Sequence, residues 1–489
     1  MLMRFSHRNG PAVLVVSVVA TLFVACGPGE DGADSTQAEA PSPVILIVAD
    51  ALRADHLWFS GYDEPTSPFL DWVSEEGLVF ERAYANSSFT AQSVTSLMTG
   101  RLPTSAGSIG LDAQPPAAAI TLPRIFRRAG YHTGIVSSQP LLARRGFTRS
   151  FEDIQIDAEP GRWGGEEVSR RALDFVDAMG DEPFLLYVQY LDPHHPHTRT
   201  DFRRRIEAAN FWPLRRAALG PESEQTRGRW QDTAEPELSE VVTRYDSEVA
   251  YTDDAIRLLV AGLRERGLWE RALVIITSSS GEELMERGSV GAARTLHEEV
   301  LRVPLLVHGP AVPQGERVPE PVSLVDVLPT LAAIGALPVD DVAFDGHSFL
   351  GSVDGQVRPV ARGGPVIAEL ILPERTIQRA VISENWKYVR THEIPAPVEP
   401  EDASAEGTQP HLELWGQILA EKLYRLDSDP YERIDQLETA GEVVVDLRAI
   451  LDRYAAYCSR NALTPYMARR PADQVDPKEV DRLEALGYL

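Results

Sequence analysis

The chain has 489 residues, 43% hydrophobic and 25% charged, with 73 acidic against 47 basic side chains, a formal net charge of −26 and two cysteines. These are globular proportions that exclude wholesale disorder and a many-span membrane protein, and the length allows one large domain plus a smaller one. The acidic balance excludes a nucleic-acid binder, because phosphate contact needs a basic face. Only three of the basic residues, Lys387, Lys422 and Lys478, are lysines, which leaves 44 arginines.

Arg4 and Arg8 precede an apolar run from Ala12 to Ala25, the charged and hydrophobic regions of a signal peptide, too short for a membrane span. Cys26 follows Val24-Ala25 and precedes Gly27, which resembles a bacterial lipoprotein cleavage box with Phe23 in place of the usual Leu. The expectation is a signal over residues 1–25, lipidation at Cys26, and a flexible tether over 26–42 (GPGEDGADSTQAEAPS and its flanks) with nothing to bury. This implies an exported protein, lipid-anchored to a bacterial membrane on its periplasmic or cell-surface side. Cys458 then has no intrachain partner, so the fold owes nothing to disulfides.

Beyond the tether, short uninterrupted apolar runs predict strands buried on both faces: Val44 to Ala49, Thr133 to Val136, Phe184 to Tyr190 and Leu273 to Thr277. Helical patterns lie between them, at Ser67 to Gly77 and Leu238 to Gly267. The alternation predicts an α/β fold, a large, mostly parallel sheet sandwiched by helices over residues 43–365, with a smaller C-terminal α+β subdomain over 366–489. The second region carries a strand-like Arg379 to Arg390, a Pro/Glu/Ala-rich loop from Pro395 to Gln409 expected to be mobile, and two closing helical patterns, the last at Glu479 to Leu486. Such folds place ligands at the carboxyl ends of strands, where Asp50 and the serines 278, 279 and 280 fall.

PVILIVADALRADHL (Pro43 to Leu57), the segment Thr66 to Pro103 and YLDPHHPH (Tyr190 to His197), in that order, resemble the sulfatase family of the alkaline phosphatase superfamily. The first is similar to the family's opening and the second to its nucleophile segment. The third resembles its D-P-H-x-P-Y box. Further matches run through Tyr245 to Ile256, Leu296 to Val307, Ser323 to Pro338 and Leu423 to Ile434. The resemblance implies hydrolysis of sulfuric or phosphoric esters, with a sulfate or phosphate ester or an anionic glycan as partner. It also implies Ca2+ or another divalent metal held by Asp50, by the nucleophile and by an Asp-His or Asp-Asn pair after the Leu273 strand.

At that pair the chain departs. The family's T-S-D-H-G-E-E reads Thr277-Ser278-Ser279-Ser280-Gly281-Glu282-Glu283, so Ser279 stands for Asp and Ser280 for His. Ala51 replaces the second acid beside Asp50, Arg287 replaces a downstream His, and Ala292 falls where another would be. A neutral hydroxyl is a poor substitute for a carboxylate facing a dication, and losing a carboxylate and an imidazole together costs several kcal/mol of metal affinity. The metal is therefore expected to be absent or weak. Thr90 takes the nucleophile position, which rules out the Cys- or Ser-derived aldehyde of formylglycine sulfatases, although phospho-transferring relatives use Thr. Thr90 is read at a helix N-terminus able to face an anion, or as a plain helix N-cap.

His194 matches a substrate-side histidine. His195 and His197 complete a compact cluster, but no acidic or Cys partner has zinc-like spacing, so the loop reads as one of exposed imidazoles. His297 reads as a packed or surface residue, Glu282 and Glu283 as ordinary family acids, and Arg101 as structural. Arg199 to Trp230 holds eight arginines with Phe202, Phe211, Trp212 and Trp230, a lid, a docking surface or an amphipathic cover. Three readings remain: a lipid-anchored pseudoenzyme on a sulfatase scaffold, which counting the degraded positions favours; an active metal-dependent hydrolase or transferase using Thr90, Asp50 and His194; and a module binding an anion or glycan.

Overall fold

The computed structural model describes residues 42–199, 236–353, 356–360, 364–372, 376–393, 415–463, 482, 483, 486 and 488. Cys26, the tether up to residue 41, the Pro395 to Gln409 loop and all of the arginine-rich insertion except Arg199 lie outside them, as does most of the last helical pattern.

The run VILIVA forms β1 (Val44–Ala49), every residue of it buried, as a strand with neighbours on both edges and helices on both faces requires. The remaining strands of its sheet are β2 (Leu78–Phe80), β3 (His132–Ser137), β4 (Asp153–Ile156), β5 (Phe184–Tyr190), β6 (Leu273–Ser278), β7 (Leu305–His308) and β8 (Glu316–Val318). Their order is β8-β2-β7-β6-β1-β5-β3-β4. All pairs are parallel except the two made by β7, which runs against β6 and β2. The expected mostly parallel sheet is therefore present, with one reversed strand.

Register decides what meets at the carboxyl edge. Ala49 pairs with Tyr190 on one side and Ser278 on the other, and Ser137 pairs with Gln189. Asp50, the loop after Tyr190, Ser279 and the segment after Ser137 thus leave the sheet at one level. Helices α1 (Pro68–Glu76), α2 (Thr90–Thr99), α3 (Gly165–Met179) and α4 (Pro236–Glu265) bury apolar stripes on the two faces. Gly281 is required by proximity: a Cβ there would overlap the Glu299 carbonyl oxygen.

A four-stranded antiparallel sheet follows in simple order, β9 (Val366–Leu372), β10 (Thr376–Ser383), β11 (Trp386–His392) and β12 (Ile418–Arg425), so the strand-like Arg379 to Arg390 is a hairpin turning at Glu384 and Asn385. Helix α5 (Gly441–Asn461) lays Val444, Leu447 and Leu451 on Val381, Tyr388 and Leu423. The two sheets are tied by Glu369, whose buried carboxylate accepts from the Thr104 amide (2.9 Å) and hydroxyl (2.6 Å), the Tyr454 hydroxyl (2.9 Å) and Arg379 Nε (2.9 Å). Asn86 adds a donated bond to the Ile367 carbonyl (2.9 Å) and accepts one from the Glu369 amide (2.8 Å). Leu483, Leu486 and Tyr488 return to the core of the large sheet. Cys458 is buried and free.

Candidate functional site

Asp50 leaves β1 fully buried, and its carboxylate is the hub of the carboxyl edge. Thr90 Oγ1 donates to Oδ1 at 3.0 Å, Ser279 Oγ donates to the same oxygen, and Gln139 Nε2 donates to Oδ2. Hydrogen bonds to a charged acceptor are worth about 1.5–3 kcal/mol each, so these neutral donors together offset much of the cost of burying the carboxylate. Gln139 is aimed by its own Oε1, which accepts from the Leu141 amide at 3.0 Å. Beside Asp50, Ala51 adopts φ 61°, a left-handed conformation costly for a residue with a Cβ. Tyr245 holds it there, donating to the Ala51 carbonyl (2.7 Å) and accepting from the Arg53 amide (2.9 Å).

Thr90 is the first residue of α2, as expected, but it does not cap the helix: Phe89 is the capping position, and the Thr90 hydroxyl is spent on Asp50 instead. Gln92 stitches α2 to β9 by donating to the Ile371 carbonyl (2.6 Å). Ser278 is structural: its Oγ accepts from the Leu52 amide (2.9 Å) and donates to the Ser280 carbonyl (2.6 Å). Ser280 Oγ is buried with no hydrogen-bond partner among the described residues.

The side chain facing Thr90 comes from the end of the described chain. Tyr488 Oη lies 2.6 Å from Thr90 Oγ1 and 2.9 Å from His194 Nε2, with its ring edge-on to Phe89 and His194. Burial pushes the Tyr488 phenol well above its usual range and Asp50 adds to this, while the hydrogen bond shared with Thr90 opposes it. The phenol is therefore neutral. Asp50, Thr90, His194 and Ser279 are thus brought together, with Gln139 and Tyr488 joining them. Nothing in the local sequence marked these last two.

The His loop differs from its expected form. His194 and His197 are buried and only His195 is half-buried. Their acidic partner is Glu282, fully buried, which lies 2.8 Å from His197 Nε2 and accepts from the His195 amide at 3.2 Å. Burial would raise the Glu282 carboxyl, but the imidazole of His197 holds it below its ordinary value; burial would lower His197, but Glu282 raises it. His195 is pushed down by burial.

Other candidates are structural. Arg101 donates to Ser105 Oγ and the Asn461 carbonyl. Arg287 bonds Glu299 (2.8 Å), and Ala292 is packed in the core. His297 meets Glu432 at 2.9 Å, and Lys387 is buried between Glu298 (3.2 Å) and Glu432 (3.0 Å), so this lysine does not face the cleft of Asp50.

A family model described as Sulfatase matches residues 42–335, more than half of the chain. Among its relatives, an uncharacterized sulfatase, YidJ, of Escherichia coli (strain K12) is 26% identical over 56% of this chain; the match spans 63% of that protein's length. An ulvan-active sulfatase of Formosa agariphila is 23% identical over 72% of this chain and 73% of its own. Among solved structures, a yidJ-type sulfatase from Bacteroides fragilis superposes with a TM-score of 0.66 at 15% identity, covering 88% of this chain and all of its own. The colinear blocks, the sheet order and the family match agree: this chain belongs to the sulfatase family of hydrolases, within the alkaline phosphatase superfamily.

Proposed function

We propose that this chain is a lipid-anchored, exported member of its family whose ester-hydrolysing centre is inactive or much weakened. The observation that carries the reading is Tyr488, whose hydroxyl stands 2.6 Å from Thr90 and 2.9 Å from His194, where an ester would have to approach. The family usually binds a divalent metal. The residues here do not fit one: the Asp50 oxygens are taken by Thr90, Ser279 and Gln139, all donors, and the positions for a second acid and an imidazole hold Ser279 and Ser280. A hard dication needs several anionic or carbonyl oxygens, and one carboxylate ringed by donors offers too few. An alcohol such as Thr90 is a weak nucleophile without a metal or a strong base.

The test is turnover and metal binding on the purified protein. No hydrolysis of aryl sulfate, phosphate or phosphonate esters is expected, with or without calcium or manganese. A crystal soaked in either ion and showing it coordinated by Asp50 and Thr90 would overturn the reading. The competing reading, an active hydrolase or transferase, is favoured by the 3.0 Å bond from Thr90 to Asp50, which resembles a nucleophile beside its base. It requires turnover that Thr90→Ala abolishes. An anionic ligand, in keeping with relatives named for sulfatases and one named ulvan-active, would be held rather than cleaved; replacing Arg203, Arg204 and Arg205 tests whether the insertion binds it. Cys26→Ser releases the protein from membranes, and unchanged membrane association would refute the anchor.

A further inference from the structure

We propose that His195, His197 and Glu282 form a binding site for a borderline-soft divalent ion, with Zn2+ as the best fit, separate from the place at Asp50 where the family's metal would sit. The two histidines come from the loop after β5 and the acid from the loop after β6. The common register of these strands on β1 brings together residues 85 positions apart in the chain.

One ring nitrogen of each histidine and one Glu282 oxygen all lie within 4.8 Å of one another. The closest pair, His197 Nε2 and Glu282 Oε2, is at 2.8 Å, and the imidazole rings of His195 and His197 stand edge to face at 5.6 Å. The second, independent observation is an orphan: His195 Nδ1 is buried and has no hydrogen-bond partner among the described residues. A ring nitrogen withdrawn from water and left unpaired costs free energy that a bound ion would recover.

The donor set sorts the ions. Two imidazoles and one carboxylate match tetrahedral zinc with a fourth position open, whereas calcium and magnesium ask for six or more oxygens. Closure needs little motion. Ligand atoms about 2.0–2.2 Å from a tetrahedral ion sit roughly 3.3–3.6 Å apart, so the His197–Glu282 pair opens slightly and His195 turns in. The half-buried His195 leaves an approach from solvent.

The surroundings hold the ligands in place, as outer contacts do at metal centres. The main chain of His195 is fixed on both sides: its amide donates to Glu282 Oε1 and its carbonyl contacts His194 Nδ1 at 2.8 Å. Arg53 Nη1 donates to the Glu282 carbonyl at 2.9 Å and is itself balanced by Asp55 and Glu286. The His197 ring rests edge-on against Tyr245, 5.3 Å between centroids. On ion binding the hydrogen bond between His197 and Glu282 is exchanged for two coordinate bonds: the charged imidazole releases its Nε2 proton to solvent and keeps the one on Nδ1, so that the neutral ring ligates through Nε2.

The inference rests on the reading that the Asp50 place holds no metal, and the experiment separates the two. Tag-free, full-length protein stripped with chelator is titrated calorimetrically with Zn2+, and with Co2+ as a spectroscopic reporter. One ion per chain is expected, with the absorption of tetrahedral Co2+. His195→Ala and Glu282→Gln should each weaken binding by about 100-fold or more, while Asp50→Asn and Thr90→Ala leave it unchanged. Glu282 is buried and its variant can lose stability, so the half-buried His195→Ala carries the conclusion, with circular dichroism confirming that each variant is folded. Failure to bind, or binding indifferent to both ligand variants, overturns this site and leaves the inactive-centre reading standing. Binding lost on Asp50→Asn but kept in His195→Ala overturns both.

Discussion

Tyr488→Phe isolates the group that covers Thr90. The substitution keeps the ring against Phe89 and His194 and removes one oxygen, which bridges Thr90 Oγ1 at 2.6 Å and His194 Nε2 at 2.9 Å. Thr90 keeps its bond to Asp50, so the loss falls on His194, whose Nε2 is left buried without this partner. A buried polar group deprived of its partner costs about 1–3 kcal/mol, and this is the expected destabilisation in urea unfolding. Tyr488→Ala also removes a ring that is fully buried in the core of the large sheet, a class of change that costs about 3–5 kcal/mol while the segment stays seated. Hydrogen exchange of the segment around Leu483, Leu486 and Tyr488 reports whether it lifts off instead. The decisive assay is turnover by Tyr488→Ala. Uncovering Thr90 restores no carboxylate or imidazole at 279 and 280, so the variant stays inactive on aryl sulfate and phosphate esters. Ester hydrolysis by Tyr488→Ala would show that the tyrosine had been restraining a competent centre, and the argument from the lost ligands would be refuted.

Other outcomes follow from the same physics. Lys387→Met leaves Glu298 and Glu432 buried without their shared cation and should cost about 3–5 kcal/mol of stability, measured by chemical unfolding; an unchanged midpoint would show the trio to be energetically idle. Glu432 is held down to about 2, Lys387 and His297 outweighing burial, so its contribution is present above the ordinary carboxylate pKa and is lost as pH falls toward 2. Glu432→Gln should flatten the acid limb of stability against pH, and an unaltered slope would contradict the assignment. Ser279→Asp would set a second carboxylate on Asp50, lowering the melting temperature in chelator; added with Ser280→His, it should make the melt rise with manganese or calcium, and insensitivity to both ions would sink the electrostatic account.

What the sequence disclosed followed the reach of its signals. Asp50 comes directly after one apolar run and Ser279 two residues after the end of another, and the parallel pairing of Ala49 with Ser278 brings them together. Thr90 and His194 were legible because each sits in an ordered block resembling the family. Gln139 was not, since its segment follows a short strand pattern, Thr133 to Val136, and an amide carries no periodic signature. Tyr488 reaches Thr90 across 398 positions and Glu282 reaches His197 across 85, separations that no local pattern encodes. The exposed-imidazole expectation failed for that reason: spacing along the chain was searched for an acidic partner, while the sheet register supplied one from another loop.

Glu369 carries a consequence for how this protein can be divided. Its carboxylate engages Thr104 beside the large sheet, Arg379 within the small one and Tyr454 on the helix that covers it. The family match stops at 335, yet a gene trimmed there would strand the Thr104 amide, would take from Asn86 its bond to the Ile367 carbonyl, and would bare the β9-facing side of α2 where Gln92 now grips Ile371. The region beyond 335 is accordingly no detachable appendage. It is the far wall of the cleft's own foundation, and the two sheets should melt, and be inherited, as one piece.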